Sequence, residues 1–177
     1  MEVQILSDIH LEYYPENFTE FETIIKPEGN SELLILAGDA GIFNSETFKL
    51  FMQYCSDRWT CVIYVLGNHE FYGSHKTHMG LLEIYKSYFD ENYPNVVVLE
   101  NEKIVYGNLI IMGCTGWSSP PNELYSSMLG DCNYIRIDKD HTSYNYGCKY
   151  MDIDYMRERN RVSLSWINKT ITEHVNE

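Results

Sequence analysis

Leu33-Leu34-Ile35-Leu36-Ala37-Gly38-Asp39 is the stretch on which the fold turns. A wholly apolar run closed by glycine and an acid reads as a strand covered on both faces, the pattern of the interior of a parallel sheet. Similar short runs lie on either side of it, Val3-Gln4-Ile5-Leu6 before and Cys61 to Leu66 after. Between the second and third runs, Phe48, Phe51, Met52 and Cys55 recur at helical spacing behind Ser45, a residue able to act as N-cap. A crossover helix over Ser45 to Arg58 is therefore expected. The pattern repeats with a helix from Met79 to Phe89, the stop Asn92-Tyr93-Pro94-Asn95 and the strand Val96-Val97-Val98-Leu99.

Beyond this alternation, Lys103 to Tyr106 and Leu109 to Met112 flank Gly107-Asn108, which predicts a hairpin. From Trp117 to about Met151 the chain is rich in Ser, Pro, Asn, Tyr and Gly without sustained periodicity, and it is read as a surface excursion. Asp152 to His174 is an amphipathic helix with Val162, Trp166, Ile167 and Ile171 on one face.

Each of the first three strands ends in residues that can bind a cation: Asp8-Ile9-His10, Gly38-Asp39 and Gly67-Asn68-His69-Glu70. Open α/β sheets place ligands at the carboxyl ends of their strands, so adjacent parallel strands would bring all three groups to one edge. Carboxylate oxygen with imidazole nitrogen suits iron, manganese and zinc, and a carboxylate such as Asp39 can bridge two ions. The glycines would let the backbone turn sharply beside the ligands.

This ordered series, Asp-x-His, Gly-Asp and Gly-Asn-His-Glu, resembles the opening motifs of the calcineurin-like metallophosphoesterases. Phe71-Tyr72-Gly73 is similar to an extension in small bacterial-type members, and Gly113-Cys114-Thr115-Gly116-Trp117-Ser118 resembles a later strand-end segment of that subgroup. Asn133-Tyr134 and the Ser163 to Ile167 helix resemble further landmarks, so the likeness spans nearly the whole chain. It implies an α-β-β-α two-sheet sandwich of the α/β class, one domain over residues 1–177. It also implies a hydrolase of phosphomonoesters or phosphodiesters with a dinuclear centre of divalent ions, drawn from Mn, Fe, Zn and Ni. In that scheme Asp8 and His10 bind the first metal, Asp39 bridges both and Asn68 binds the second. His69 protonates the leaving oxygen or stabilises the phosphoryl group, Asn68 and His69 thereby also meeting the substrate. Family members continue into a strand ending in histidine and a Gly-His-x-His motif, neither of which occurs here. The expectation is a carboxyl-terminally truncated domain with a poorly enclosed second metal site. An inactive binding or structural component of a larger assembly is the alternative to the enzyme, and an unfilled edge of the second sheet would favour self-association or an assembly partner.

The other candidates are weaker. His75 and His78 stand at metal-compatible spacing near a helix start, but solvated side chains are the commoner occupants of such positions. His141 lies in the excursion. Tyr72 follows the histidine loop closely enough to meet a substrate, and Arg136 could grip a phosphate or pair with an acid. A net charge of -13 over 177 residues supplies no basic field for bulk nucleic-acid binding. A phosphorylated substrate is still compatible, because bound cations can overturn the local charge. The five cysteines form no C-x-x-C pair and read as free thiols. With no signal-like start and no apolar run near the roughly 18 residues of a membrane helix, the sequence predicts a soluble cytoplasmic protein.

Overall fold

The computed structural model describes residues 2–122, 128–137 and 149–175. The chain divides into two compact units, Met1–Glu70 with Leu82–Leu99, and Phe71–Leu81 with Glu100–Glu177.

The first unit is built on four parallel strands in the order β1 (Val3–Leu6), β2 (Leu33–Ala37), β3 (Cys61–Val65), β4 (Val96–Leu99). Leu36 aligns with Leu6 on one side and Tyr64 on the other, so the three motif-bearing strand ends emerge in step. Leu33, Leu34 and Leu36 of β2 and Val62, Ile63 and Tyr64 of β3 are fully buried, as two covered faces require, whereas Ile5 on the edge strand β1 is 67% exposed.

Helix α1 (Glu46–Arg58) starts where Ser45 accepts a hydrogen bond from the Phe48 N–H at 3.3 Å. It stops at Trp59, where the Asn95 amide donates to the carbonyls of Ser56 and Trp59 and satisfies two orphan acceptors of the last turn. Its inward face, Phe48, Phe51, Met52 and Cys55, is fully buried. Phe48 meets Tyr64 of β3 and Tyr85 and Phe89 of helix α2 (His78–Asn92) in a cluster of tilted and edge-to-face rings. Each such ring withdraws apolar surface worth about 1.5–3 kcal/mol.

In the second unit β5 (Glu102–Tyr106) and β6 (Leu109–Gly113) form the expected antiparallel hairpin, with Tyr106 opposite Leu109 and Gly107 taking φ of 61° in the turn. A short helix α3 (Asp131–Tyr134) precedes a two-stranded ribbon of β7 (Arg136–Ile137) and β8 (Lys149–Tyr150). Helix α4 (Ile153–Val175) follows, capped by Asp152, whose carboxylate accepts from the Tyr155 N–H at 2.8 Å.

Two features of this unit differ from expectation. The buried face of α4 runs through Ile153, Met156, Ser163 and Thr170, while Ile171 is 49% exposed and Val162, Trp166 and Ile167 are half-buried. Over the second half of the helix the buried positions are thus the small Ser163 and Thr170, with the bulkier residues beside them only partly covered. The segment read as a surface excursion also begins inside the core: Trp117 is buried, its ring beside Phe71 and His78.

Candidate metal centre

The hydrogen-bond ladder of β1 and β2 continues past the strand ends. Asp8 N–H donates to the Gly38 carbonyl, His10 N–H to the Asp39 carbonyl and Leu11 N–H to the Ala40 carbonyl, at 2.9–3.1 Å. These bonds carry Asp8 and His10 alongside Asp39. All three residues take left-handed backbone, with φ of 55°, 53° and 53°. Non-glycine residues pay for that conformation, and such strain clusters at functional sites.

Oxygen and nitrogen atoms of Asp8, His10 and Asp39 lie within 4.8 Å of one another, close enough to hold one cation. The third strand end joins through Asp39, whose Oδ1 accepts the His69 N–H at 3.0 Å. The two glycines do different work. Gly38 turns the chain at φ of 92°, but Gly67 is required for room: a Cβ there would stand 2.1 Å from Asp39 Oδ1 and 2.6 Å from the Asp39 nitrogen. Gly38 thus makes the expected turn, and Gly67 adds a second role by leaving room for Asp39.

Glu70 locks the assembly from beneath. Its buried carboxylate accepts from the N–H groups of Asp39, Ala40 and Gly67 at 2.7–3.0 Å, from Gly41 at 3.4 Å and from the Tyr64 hydroxyl at 2.8 Å. Burial pushes this carboxyl up to about 7, with the Tyr64 hydrogen bond pulling against it and the Asp39 charge adding to it. Burial and the neighbouring Glu70 charge keep the Tyr64 phenol protonated and hence a donor.

Glu12, on the 3-10 turn Leu11–Tyr13, joins the two histidines. Its Oε1 lies 3.1 Å from His10 Nδ1 and 3.0 Å from His69 Nδ1, and the two rings meet edge to face with centroids 4.4 Å apart. Burial raises the Glu12 carboxyl, but hydrogen bonds from its own backbone, His10 and His69 outweigh it and hold the group below its ordinary value. His10, Glu12 and His69 form a second set of ligand atoms within 4.8 Å, and both sets share His10. A cleft of about 440 Å³ lined by Glu12, Tyr14, Glu16, Ile42, Asn44, Ser45 and Glu46 opens beside Glu12.

Asp8, His10, Asp39 and His69 therefore come together, and half-buried Asn68 sits on the same loop between Gly67 and His69. Sequence reading missed Glu12 and Glu70. An acid two residues after His10 and another directly after His69 were the available signals, but neither shows its partners in one dimension.

Of the weaker candidates, His78, Tyr72 and Arg136 have partners of their own. His78 is buried, with Nδ1 3.0 Å from the Tyr155 hydroxyl, and His75 is exposed and precedes α2. Tyr72 donates to Asp131, and the Arg136 guanidinium sits 6.0 Å from the Tyr150 ring centroid. His141 lies outside the described residues. Cys55 and Cys61 are buried free thiols whose ionisation burial opposes. No helix among the described residues is long and apolar enough to cross a membrane.

An uncharacterised protein of Acanthamoeba polyphaga mimivirus is 26% identical over 127 residues, 66% of this chain and 44% of that protein. The phosphopantetheinyl hydrolase of Mycobacterium tuberculosis superposes with a TM-score of 0.60 at 16% identity, over 92% of this chain and 61% of its own. The chain thus spans less than two thirds of either relative, and the likeness to the hydrolase establishes a mixed α/β fold of the metallophosphoesterase type. The family model described as calcineurin-like phosphoesterase matches residues 1–164, and the chain belongs to that family.

Proposed function

We propose that this protein hydrolyses a phosphate ester in a metal-dependent reaction at the β1–β2–β3 strand ends. The observation that carries the reading is the convergence of Asp8, His10 and Asp39 within ligand distance, on strained backbone, beside His69. Two carboxylates and an imidazole fit a divalent transition-metal ion, so the donor set agrees with the family's chemistry. Divalent cations held there would supply Lewis acidity, acidifying a water and offsetting phosphoryl charge.

The chain's own residues do the rest. Asp8 and His10 would hold the first ion, Asp39 would serve both, and Asn68 would serve the second. His69 protonates the leaving oxygen as its bond to phosphorus breaks. Glu70 keeps the Asp39 and Gly67 backbones fixed, so that the ligands are arranged before the substrate arrives. The cleft beside Glu12 suits the remainder of the substrate, and the carboxylates of Glu12, Glu16 and Glu46 around it favour a leaving group without negative charge.

One observation favours a second reading, a non-catalytic binding component: among the described residues, both sets able to hold an ion depend on His10. Elemental analysis after dialysis against manganese or zinc, with hydrolysis of p-nitrophenyl and bis-p-nitrophenyl phosphate on the same sample, separates the two. Bound metal with chelator-sensitive turnover is the expected result. Neither tight metal nor turnover would overturn the enzyme reading.

A further inference from the structure

We propose that Glu12 is a shared positioning residue, one carboxylate oxygen that sets the orientation of both the metal-binding His10 and the proton-donating His69. The inference deepens the phosphoesterase reading and rests on it for its kinetic arm only.

The geometry carries it. A carboxylate oxygen accepts hydrogen bonds, so Oε1 at 3.1 Å from His10 Nδ1 and 3.0 Å from His69 Nδ1 requires a proton on Nδ1 of each ring. That leaves His10 Nε2 facing Asp39, whose Oδ2 is 3.9 Å away, while His69 with both ring nitrogens protonated gives its Nε2 proton to the leaving oxygen and keeps its Nδ1 bond to Glu12. Metal-binding histidines are commonly fixed in this way by a carboxylate on the opposite ring nitrogen. Here the same atom also governs the second histidine.

Glu12 is well placed for the task. Its turn is pinned by the Leu11 N–H to Ala40 carbonyl bond and by the full burial of Leu11, and its side chain is only 12% exposed. Besides its own backbone N–H, the carboxylate takes its hydrogen bonds from the two rings. The consequence is coupling: retention of metal at His10 and proton delivery by His69 should fail together when Glu12 is changed.

The test begins with the metal-free wild-type protein, whose histidine rings are read by long-range proton–nitrogen NMR. Both His10 and His69 should carry the proton on Nδ1, and E12Q should move both towards the Nε2–H form that unconstrained histidine prefers. In the same variant manganese affinity, measured by calorimetry, should fall about 10- to 100-fold. Hydrolysis of phenyl phosphate should fall about 10-fold further than that of p-nitrophenyl phosphate, because only the poorer leaving group needs the His69 proton. Either wild-type ring lacking a proton on Nδ1 would overturn the proposal whether or not E12Q folds. So would a folded E12Q that perturbs one histidine and leaves the other unchanged, or X-ray absorption showing Glu12 bound directly to the metal. If the wild type neither binds metal nor turns over, the phosphoesterase reading fails, while the ring measurement still decides the role of Glu12.

Discussion

Gly67→Ala should damage the site more than any contact made by the glycine itself would suggest. The added Cβ would lie 2.1 Å from Asp39 Oδ1, against an ordinary contact distance of 3.4 Å, so the carboxylate must retreat by 1.3 Å or the β3 loop must shift. The Asp39 nitrogen at 2.6 Å blocks an easy escape, because it is backbone already held by Glu70. Overpacking costs about 1–3 kcal/mol. Loss of the His69 N–H bond to Asp39 Oδ1, a bond to a charged acceptor, adds about 1.5–3 kcal/mol. A total of about 2.5–6 kcal/mol is a large share of the roughly 5–15 kcal/mol that holds a domain together. Displacing a ligand by more than an ångström should also lower turnover about 100-fold. Urea denaturation of the metal-free protein reads the first effect, with Gly116→Ala as the control, since a Cβ at Gly116 meets nothing within 4 Å. The control should stay within about 0.5 kcal/mol of wild type. If Gly67→Ala fell within about 1 kcal/mol of that control and kept its metal, the argument from close approach would be wrong.

Asp39→Asn and His69→Ala should separate metal binding from proton transfer: the first should lose metal by elemental analysis, while the second should keep it and slow about 10²- to 10⁴-fold. Identical behaviour of the two variants would contradict the roles assigned. Tyr64→Phe removes the 2.8 Å hydrogen bond to buried Glu70 and should cost about 1.5–3 kcal/mol in urea denaturation, a loss below about 0.5 being inconsistent with the cage described. At the start of α4, burial raises the Asp152 carboxyl, but hydrogen bonds from Lys149 and the Tyr155 N–H outweigh it and hold the group below the ordinary aspartate range. A depressed folded-state value means that this stabilisation is present above about pH 4 and lost as the pH falls through that lower value. Asp152→Asn, which can still cap the helix, should therefore flatten the acid limb of thermal stability below about pH 4 and change stability at neutral pH by less than about 1 kcal/mol. An unaltered acid limb in melts across that range would count against it.

Much of this protein was legible in one dimension because the decisive signals are local. An apolar run from Leu33 to Ala37, a serine before a helical repeat and Gly-Asn between two apolar segments each specify backbone conformation within a few residues. The position of Asp8, His10, Asp39 and His69 at strand ends followed from the same reading once the strands were taken as parallel neighbours. What the sequence could not decide was partnership. Glu12 reaches His69 across 57 positions, and Glu70 gathers N–H groups from a loop about 30 residues away; nothing in the spacing of either acid marks it. Likewise, helical periodicity limits the sets of residues on α4 that can share a face, but choosing Ser163 and Thr170 over Ile171 as the seam depends on how closely neighbouring elements approach. The sequence by itself determined the four parallel strands, the hairpin, helices α1, α2 and α4 and the ligand-bearing ends, but not α3, β7 and β8. Only tertiary structure decided which carboxylates serve those ligands, because hydrogen bonding and burial are properties of atoms brought together by packing rather than by order along the chain.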